Sequence, residues 1–301
     1  MGRIAILGVF VADTSFRADR MPRMGETILG RSFALGPGGK GSNQAVSAGK
    51  LGADVSIITR LGRDDFAQMA LQTWKSANVK SDVVLDPDAR TGAAFIFIDD
   101  QTGDNAIIIS PGTAAQMSLK EIEINADLIT GSDVFMTQLE QPIDVAQAGL
   151  KLAKEHGKIT ILNPAPAARL NPDIFTLCDY ITPNETEAEA LTGIIVKTKE
   201  DAKRAAEAFV DLGVVTPIIT MGERGAYLHG FGIVPAFNAG RVAETTGAGD
   251  AFNGGLATAL SEGKSPVDAV RFGCATASLS VTRAGTATAM PLREEVEKLL
   301  N

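Results

Sequence analysis

The sequence predicts an α/β protein in which a mostly parallel central sheet is flanked by helices and carries a small additional β-sheet. Three observations lead there. Short, continuous apolar runs such as Arg3-Ile-Ala-Ile-Leu-Gly-Val9 recur along the chain, as expected of strands buried on both faces. Between most of them stand segments with apolar residues at helical spacing, the βαβ rhythm of a parallel sheet. Two regions, 14–35 and 91–110, break that rhythm with Pro/Gly punctuation and β-prone pieces, with no helix between.

In chain order, the first buried strand spans Arg3–Val9 and is followed shortly by a lone carboxylate, Asp13. Met21-Pro22, Gly25-Glu26-Thr27 and Ile28 to Phe33 read as short strands. Gly36-Pro-Gly-Gly-Lys40-Gly-Ser-Asn43 is a glycine-rich turn leading into helical spacing at Ala45, Val46, Ala48 and Leu51. Asp54–Arg60 is a second buried strand, and Asp64–Trp74 an amphipathic helix with an acidic first turn. Ala93–Ile98 and Asn105–Ile109 flank a polar Gly-containing turn and form a hairpin.

From residue 132 the alternation becomes regular. Strands are expected at Asp133–Thr137, Lys158–Leu162, Tyr180–Thr182 and Pro217–Thr220, with helices at 144–156, 185–192 and 199–212. Each of these strands ends on a polar landmark: Glu140, Asn163-Pro164, Asn184 to Glu187, and Gly222-Glu-Arg-Gly225. In doubly wound sheets, ligands bind beyond the carboxyl ends of the strands, so this placement points to function. Long helices follow Gly249 and Pro266, and a short amphipathic one spans 292–300.

The 301 residues, 45% hydrophobic, can bury a large core. A formal net charge of −8, with no Lys/Arg run, argues against a nucleic-acid or anionic-membrane surface. No leader pattern or long apolar run is present, so the cytoplasm is the expected compartment. Cys178 and Cys274 lack metal-ligand spacing and read as buried free thiols. His156 and His229 fall at a helix end and a turn, so any acid–base chemistry is expected to rest on carboxylates.

The densest chemical signal is Glu244-Thr-Thr-Gly-Ala-Gly-Asp250-Ala-Phe-Asn-Gly254, three glycines around the carboxylate of Asp250 at the start of a helix, with a second acid, Glu244, at its head. Unpaired N–H groups of Gly247, Ala248 and Gly249, together with the positive end of the helix dipole, suit a phosphate or another oxyanion. Thr246 or Asp250 could instead merely cap the turn. The earlier glycine loop lets backbone approach a ligand closely, with Lys40 and Asn43 as donors. It is not a Walker A loop, because residue 34 is Ala and Gly41 follows Lys40.

Gly38-Gly-Lys-Gly-Ser-Asn-Gln-Ala45, Thr137-Gln-Leu-Glu140, Asn163-Pro-Ala-Pro166, Ile181-Thr-Pro-Asn-Glu-Thr-Glu-Ala-Glu189, Gly222-Glu-Arg-Gly225 and the Asp250 stretch together make the chain resemble the ribokinase-like carbohydrate kinase family from end to end. The resemblance implies one ribokinase-like α/β domain over 1–301 with a β-sheet lid at about 12–36 and 91–111, the lid also forming a homodimer interface. It implies Mg²⁺- and ATP-dependent phosphorylation of a sugar's primary hydroxyl, O5 of D-ribose in the first instance. The rival readings are a deoxypentose or other small-sugar kinase, a catalytically silent sugar-binding regulatory protein, and a nucleoside kinase. In the family pattern Asp250 is the general base, with Gly247, Ala248 and Gly249 as the anion hole. Asp13, Gly39, Lys40, Gly41, Ser42, Asn43 and Glu140 match sugar-binding positions. Asn184, Thr220, Met221, Gly222, Glu223, Arg224, Gly225, Gly249 and Cys274 match the ATP side, and Glu187 is linked indirectly to magnesium. Glu244, Thr246, Ser280, Arg283 and Gly285 match a potassium site. Three departures stand out: Val11 replaces the usual Asn, Glu244 the usual Asp, and Ala289 a serine at the potassium site. The first favours a deoxy or otherwise altered sugar, and the other two put potassium activation in question.

Overall fold

A computed structural model describes residues 2–81 and 83–301. Its main sheet has nine strands. In spatial order these are Gly232–Val234, Ala226–Leu228, Thr216–Thr220, Tyr180–Ile181, Ile159–Leu162, Val134–Thr137, Arg3–Leu7, Asp54–Ile58 and Lys80–Ser81. Pairing is parallel from Thr216–Thr220 to Lys80–Ser81 and antiparallel among the first three strands. The chain runs outward from Arg3–Leu7 in one direction and later resumes on its other side at Val134–Thr137. That reversal opens a crevice beyond Leu7 and Thr137, where open α/β sheets bind ligands.

The apolar runs predicted as doubly buried strands are so because successive residues supply two separate cores. Ile4, Ile6, Val134 and Met136 face one layer, packed with Ala45, Trp74, Leu256 and Val270 from the helices Lys40–Lys50, Asp65–Ser76, Ala248–Ser261 and Pro266–Ser280. Ala5, Leu7, Phe135 and Leu162 face the other, packed with Val145, Leu150, Ala205 and Phe209 from Ile143–Glu155 and Lys199–Asp211.

Glu185–Thr192 starts and stops where the sequence predicts. Asn184 and Glu187 form a reciprocal capping box, and Gly193 ends the helix in the left-handed conformation at φ 73. The strand pair Ala226–Leu228 and Gly232–Val234 was not foreseen, nor were the six-residue helices Leu119–Ile124 and Ala126–Gly131.

The small sheet is separate from the main one and ordered Ser32–Gly38, Val11–Ala18, Thr91–Asp99, Asn105–Gly112. It joins the two regions that broke the helical rhythm, through parallel pairing of Val11–Ala18 with Thr91–Asp99. Residues 19–31 were expected to hold short strands and instead form the connection between two longer ones. Arg20 and Glu26 pair across that connection. Among the described residues, no helix is long and apolar enough to cross a membrane.

Candidate active site

The helices Lys40–Lys50 and Ala248–Ser261 bring their N-termini together at the crevice. The first begins at Lys40, earlier than the apolar spacing indicates, so that Lys40 to Asn43 form its opening turn rather than a loop. Gly39 makes the entry at φ 88, where a Cβ would lie 2.5 Å from the Val9 carbonyl oxygen. Gly41 sits against the end of the first strand, its missing Cβ 2.5 Å from the Gly8 Cα. The helix is thereby set deep into the switch point.

At the second helix Gly247 is the N-cap, with φ 81 and no side-chain cap. Neither Thr246 nor Asp250 caps the turn. The Ala248 N–H donates to the Thr245 carbonyl and the Ala251 N–H to the Gly247 carbonyl, while among the described residues the N–H groups of Gly247, Gly249 and Asp250 take no partner. Free donors at a helix N-terminus form an anion site.

Asp250 is 6% exposed and held at both oxygens. Asn43 Nδ2 donates to its Oδ2 at 3.0 Å and Gln44 Nε2 to its Oδ1 at 3.1 Å. Gln44 Nε2 also reaches Asn163 Oδ1 at 3.1 Å, and Gln138 Nε2 donates to Gln44 Oε1 at 2.6 Å. Asn163 Nδ2 donates to the Thr182 carbonyl, Thr182 Oγ1 to Asn253 Oδ1, and Asn253 Nδ2 to the Gly249 carbonyl. This buried polar chain links the tips of three strands to both helices. Gln44, Gln138, Thr182 and Asn253 escaped the sequence reading as site residues, although all four lie inside motifs it singled out.

Four carboxylates share the crevice with one ammonium. Burial raises the Asp250 carboxyl, opposed by Lys40, Asn43 and Gln44. Burial and nearby Asp250 push Asp13 up to about 6. Glu140, raised to about 7 by burial against the pull of Lys40, accepts the Lys40 N–H at 2.8 Å. Glu187 is raised by burial and accepts the Asn184 N–H at 2.9 Å. Burial works against a charged Lys40, but Asp250, Glu140 and Glu187 outweigh it and hold the ammonium above its usual range. Ser42 is turned away, accepting a hydrogen bond from Trp74 Nε1 at 2.9 Å.

On the other side of the crevice, Asn184 bridges to Thr220, whose N–H donates to the Pro183 carbonyl at 2.9 Å. Gly222–Arg224 form a single turn; Met221 is buried, Glu223 is exposed, and the Gly225 carbonyl accepts the Met221 N–H. Arg224 is tied to Glu185 at 2.8 Å and to the Lys197 carbonyl. Cys274 is 4% exposed with its thiol pushed up to about 12 by burial, so it offers an apolar wall and no charge.

Magnesium and potassium fare differently. Among the described residues no three His, Cys, Asp or Glu side chains cluster to hold a metal alone. An excess of carboxylates around Lys40 nevertheless suits a hard divalent ion that brings its other ligands with it. The predicted potassium set is short of donors. Glu244 Oε2 accepts the Gly285 N–H at 2.8 Å, the Ser280 carbonyl accepts the Arg283 N–H, and Ala289 is buried without a side-chain oxygen. Thr246 is exposed, and the Arg283 side chain is engaged by Glu295. Part of the oxygen capacity of this set is therefore already engaged within the chain.

The sequence matches the pfkB family carbohydrate kinases over residues 1–293. It is 37% identical to a ribokinase of Haemophilus influenzae, covering 99% of this chain and 98% of that one. A deoxyribokinase of Salmonella typhi is 34% identical, at 99% and 98% coverage. Arabidopsis thaliana ribokinase, solved with ribose and ATP, superposes with a TM-score of 0.93 at 30% identity, covering 100% of this chain and 99% of that one. This match along nearly the whole chain, on a sheet of the same architecture, shows that the chain belongs to the pfkB family of carbohydrate kinases.

Proposed function

We propose that this kinase transfers the γ-phosphate of ATP to the primary hydroxyl, O5, of D-ribose. The observation that carries the reading is Asp250, fixed at both oxygens directly beside the unpaired N–H groups of Gly247 and Gly249. A hydroxyl docked there meets a base on one side and an anion hole on the other. Phosphoryl transfer is mainly positioning and stabilisation of charge on the transferred group. A placed base contributes about 10²- to 10⁴-fold, and one anion-hole donor about 10²- to 10³-fold.

Asp13 and Glu140 accept sugar hydroxyls, while Lys40, Asn43 and the Gly39–Gly41 backbone donate to them. The nucleotide lies along Asn184, the Thr220–Gly225 turn and the Cys274 wall. Glu187 would be the residue of this chain linked to a Mg²⁺ ion, which would supply charge neutralisation at the ATP phosphates when bound. With Glu244 and Ala289 in place of the family's aspartate and serine, turnover is expected to be independent of potassium. Residues 1–301 act as one catalytic unit, with 12–36 and 91–111 as its lid, and a homodimer forms through the lid's apolar face. Buried free thiols suit a reducing compartment such as the cytoplasm.

Asp250→Asn tests the reading. In an ADP-release assay with D-ribose and ATP, kcat is expected to fall at least ~10²-fold, the lower bound for a lost base. Affinities for both ligands, measured by calorimetry, are expected to stay close to wild type, and wild-type rates in Na⁺ and K⁺ salts to agree within about twofold. Near-normal turnover by the variant would refute Asp250 as base. A wild-type protein that binds sugar yet never turns over would identify a silent sugar-binding protein.

A further inference from the structure

The segment Arg283 to Met290, after the Pro266–Ser280 helix, touches both halves of the crevice. Lys50, at the end of the Lys40–Lys50 helix, anchors it: the ammonium donates to the carbonyls of Ala287 at 3.3 Å and Met290 at 3.0 Å. Toward the anion hole, the Gly285 N–H donates to Glu244 Oε2 at 2.8 Å. Thr286 packs against the turn itself, its Cα 3.3 Å and its Cβ 3.4 Å from where a Gly247 Cβ would stand. Its hydroxyl donates to the Pro37 carbonyl at 2.8 Å.

Pro37 belongs to Ser32–Gly38, an edge strand of the small sheet. Among the described residues, this is the one hydrogen bond between residues 244–301 and the four strands of that sheet. It acts close to the sugar side. Asp13 stands opposite Gly36, and a Cβ on Gly38 would collide with the Asp13 carboxylate, so that carboxylate rests on the residue next to Pro37. One hydroxyl thus joins a strand that supports the sugar's acceptor to the turn whose N–H groups form the anion hole. Phosphoryl transfer depends on holding the nucleophile and the phosphoryl in line, and a misplacement of about 1 Å costs on the order of 10²-fold. The β-branch of threonine restricts its χ1, and Lys50 holds the far end of the segment, so the link is stiff. We propose that Thr286 is a positioning residue that keeps the sugar site in register with the anion hole through its bond to Pro37. The inference rests on the sugar-kinase reading above and adds a residue that aligns the reaction.

The test is steady-state kinetics with D-ribose and ATP for wild type, Thr286→Val, Thr286→Ala and Thr286→Ser, alongside thermal melts. Valine keeps the shape of threonine and removes the hydroxyl; alanine serves if the valine variant does not fold. Losing the bond is expected to lower kcat by about tenfold or more, as small misplacements do. Both KM values are expected to stay within about threefold of wild type, the pattern of an interaction realised in the transition state. Thr286→Ser restores the hydroxyl and is expected to return kcat to within about threefold of wild type. A lower melting temperature with unchanged kcat would reduce the bond to a structural one and overturn the inference. An effect confined to KM, or a loss of kcat that serine shares with valine, would overturn it equally. Wild type inactive on D-ribose would overturn the ribose-kinase reading along with it.

Discussion

Asp250 must be ionised to serve as the proposed base, yet it is buried where water cannot stabilise its charge. Lys40, Asn43 and Gln44 supply that stabilisation instead, and a bound hydroxyl finds a base already in place. Asp13 and Glu140 bear the same strain without amide donors on both oxygens, and their carboxyls stand at about 6 and about 7. Raised carboxyl values mean that the folded protein holds these protons more tightly than the unfolded chain. Their contribution to stability is therefore complete below the ordinary carboxylate range and is lost as pH rises through about 6 to 7. Glu140→Gln keeps an oxygen for the Lys40 N–H and removes the titration. Thermal melts of the free protein are expected to show the variant more stable than wild type at pH 8, by on the order of 1–3 kcal/mol. At pH 4 the two should coincide. An equal offset at both pH values would show that Glu140 is not the group that titrates. Asp250, Asp13 and Glu140 were all legible as polar landmarks at strand ends or in a glycine-rich stretch. Of the amides that fix Asp250, Asn43 was legible as a donor, but Gln44 and the Gln138 that holds it were not, because nothing in either distinguishes a buried side chain from a solvated one until the fold closes over it.

Helix starts were readable where side chains make the cap, as at Asn184 and Glu187, and misplaced where backbone makes it, as at Gly39. A glycine entering a helix at positive φ leaves no side-chain signature beyond being glycine. The strands Ala226–Leu228 and Gly232–Val234 are three residues each, too short for any period to emerge. Depth of insertion is what the Lys40–Lys50 helix contributes to catalysis, and Gly41 sets it. In Gly41→Ala the new Cβ meets the Gly8 Cα at 2.5 Å and Gln138 Oε1 at 2.7 Å, so the helix must lift. Overpacking of this kind costs about 1–3 kcal/mol. Urea melts are expected to show that loss. Because Asn43 and Gln44 rise with the helix, kcat is expected to fall by about tenfold or more, as small misplacements of a catalytic group do. A destabilised variant with unchanged kcat would show that insertion depth does not set the Asp250 geometry.

The alternation of strands and helices that builds the main sheet was visible along the chain, since each βαβ unit is local. Assembly of the small sheet was not. Its central pairing joins Thr14 to Phe95, and sequence patterns carry no information about partners so far apart. One face of that sheet carries Phe16, Phe33, Leu35 and Ile108, which are 40%, 57%, 44% and 66% exposed. An apolar cluster of this kind marks an interaction surface. Sedimentation at micromolar concentration is expected to find a dimer, and Phe16→Ser with Phe33→Ser is expected to yield a folded monomer. A monomeric wild type would exclude this face as a dimer contact.

Only Gly8, Val9 and Phe10 separate the main-sheet strand Arg3–Leu7 from Val11, and Gly38 runs directly into the helix that begins at Lys40. Val11, Asp13 and Gly38 thus lie at the fulcrum of the small sheet, and Phe16 and Ala18 farther out along its arm. At about 3.3 Å per residue, Asp13 stands roughly 7 Å from the root of its strand and Ala18 roughly 23 Å. A rocking motion that swings the outer end through several ångströms moves the sugar's partners by only a fraction of that distance. In the proposed lid and dimer contact, the outer end would thus move while Asp13 stays nearly in register with the main sheet.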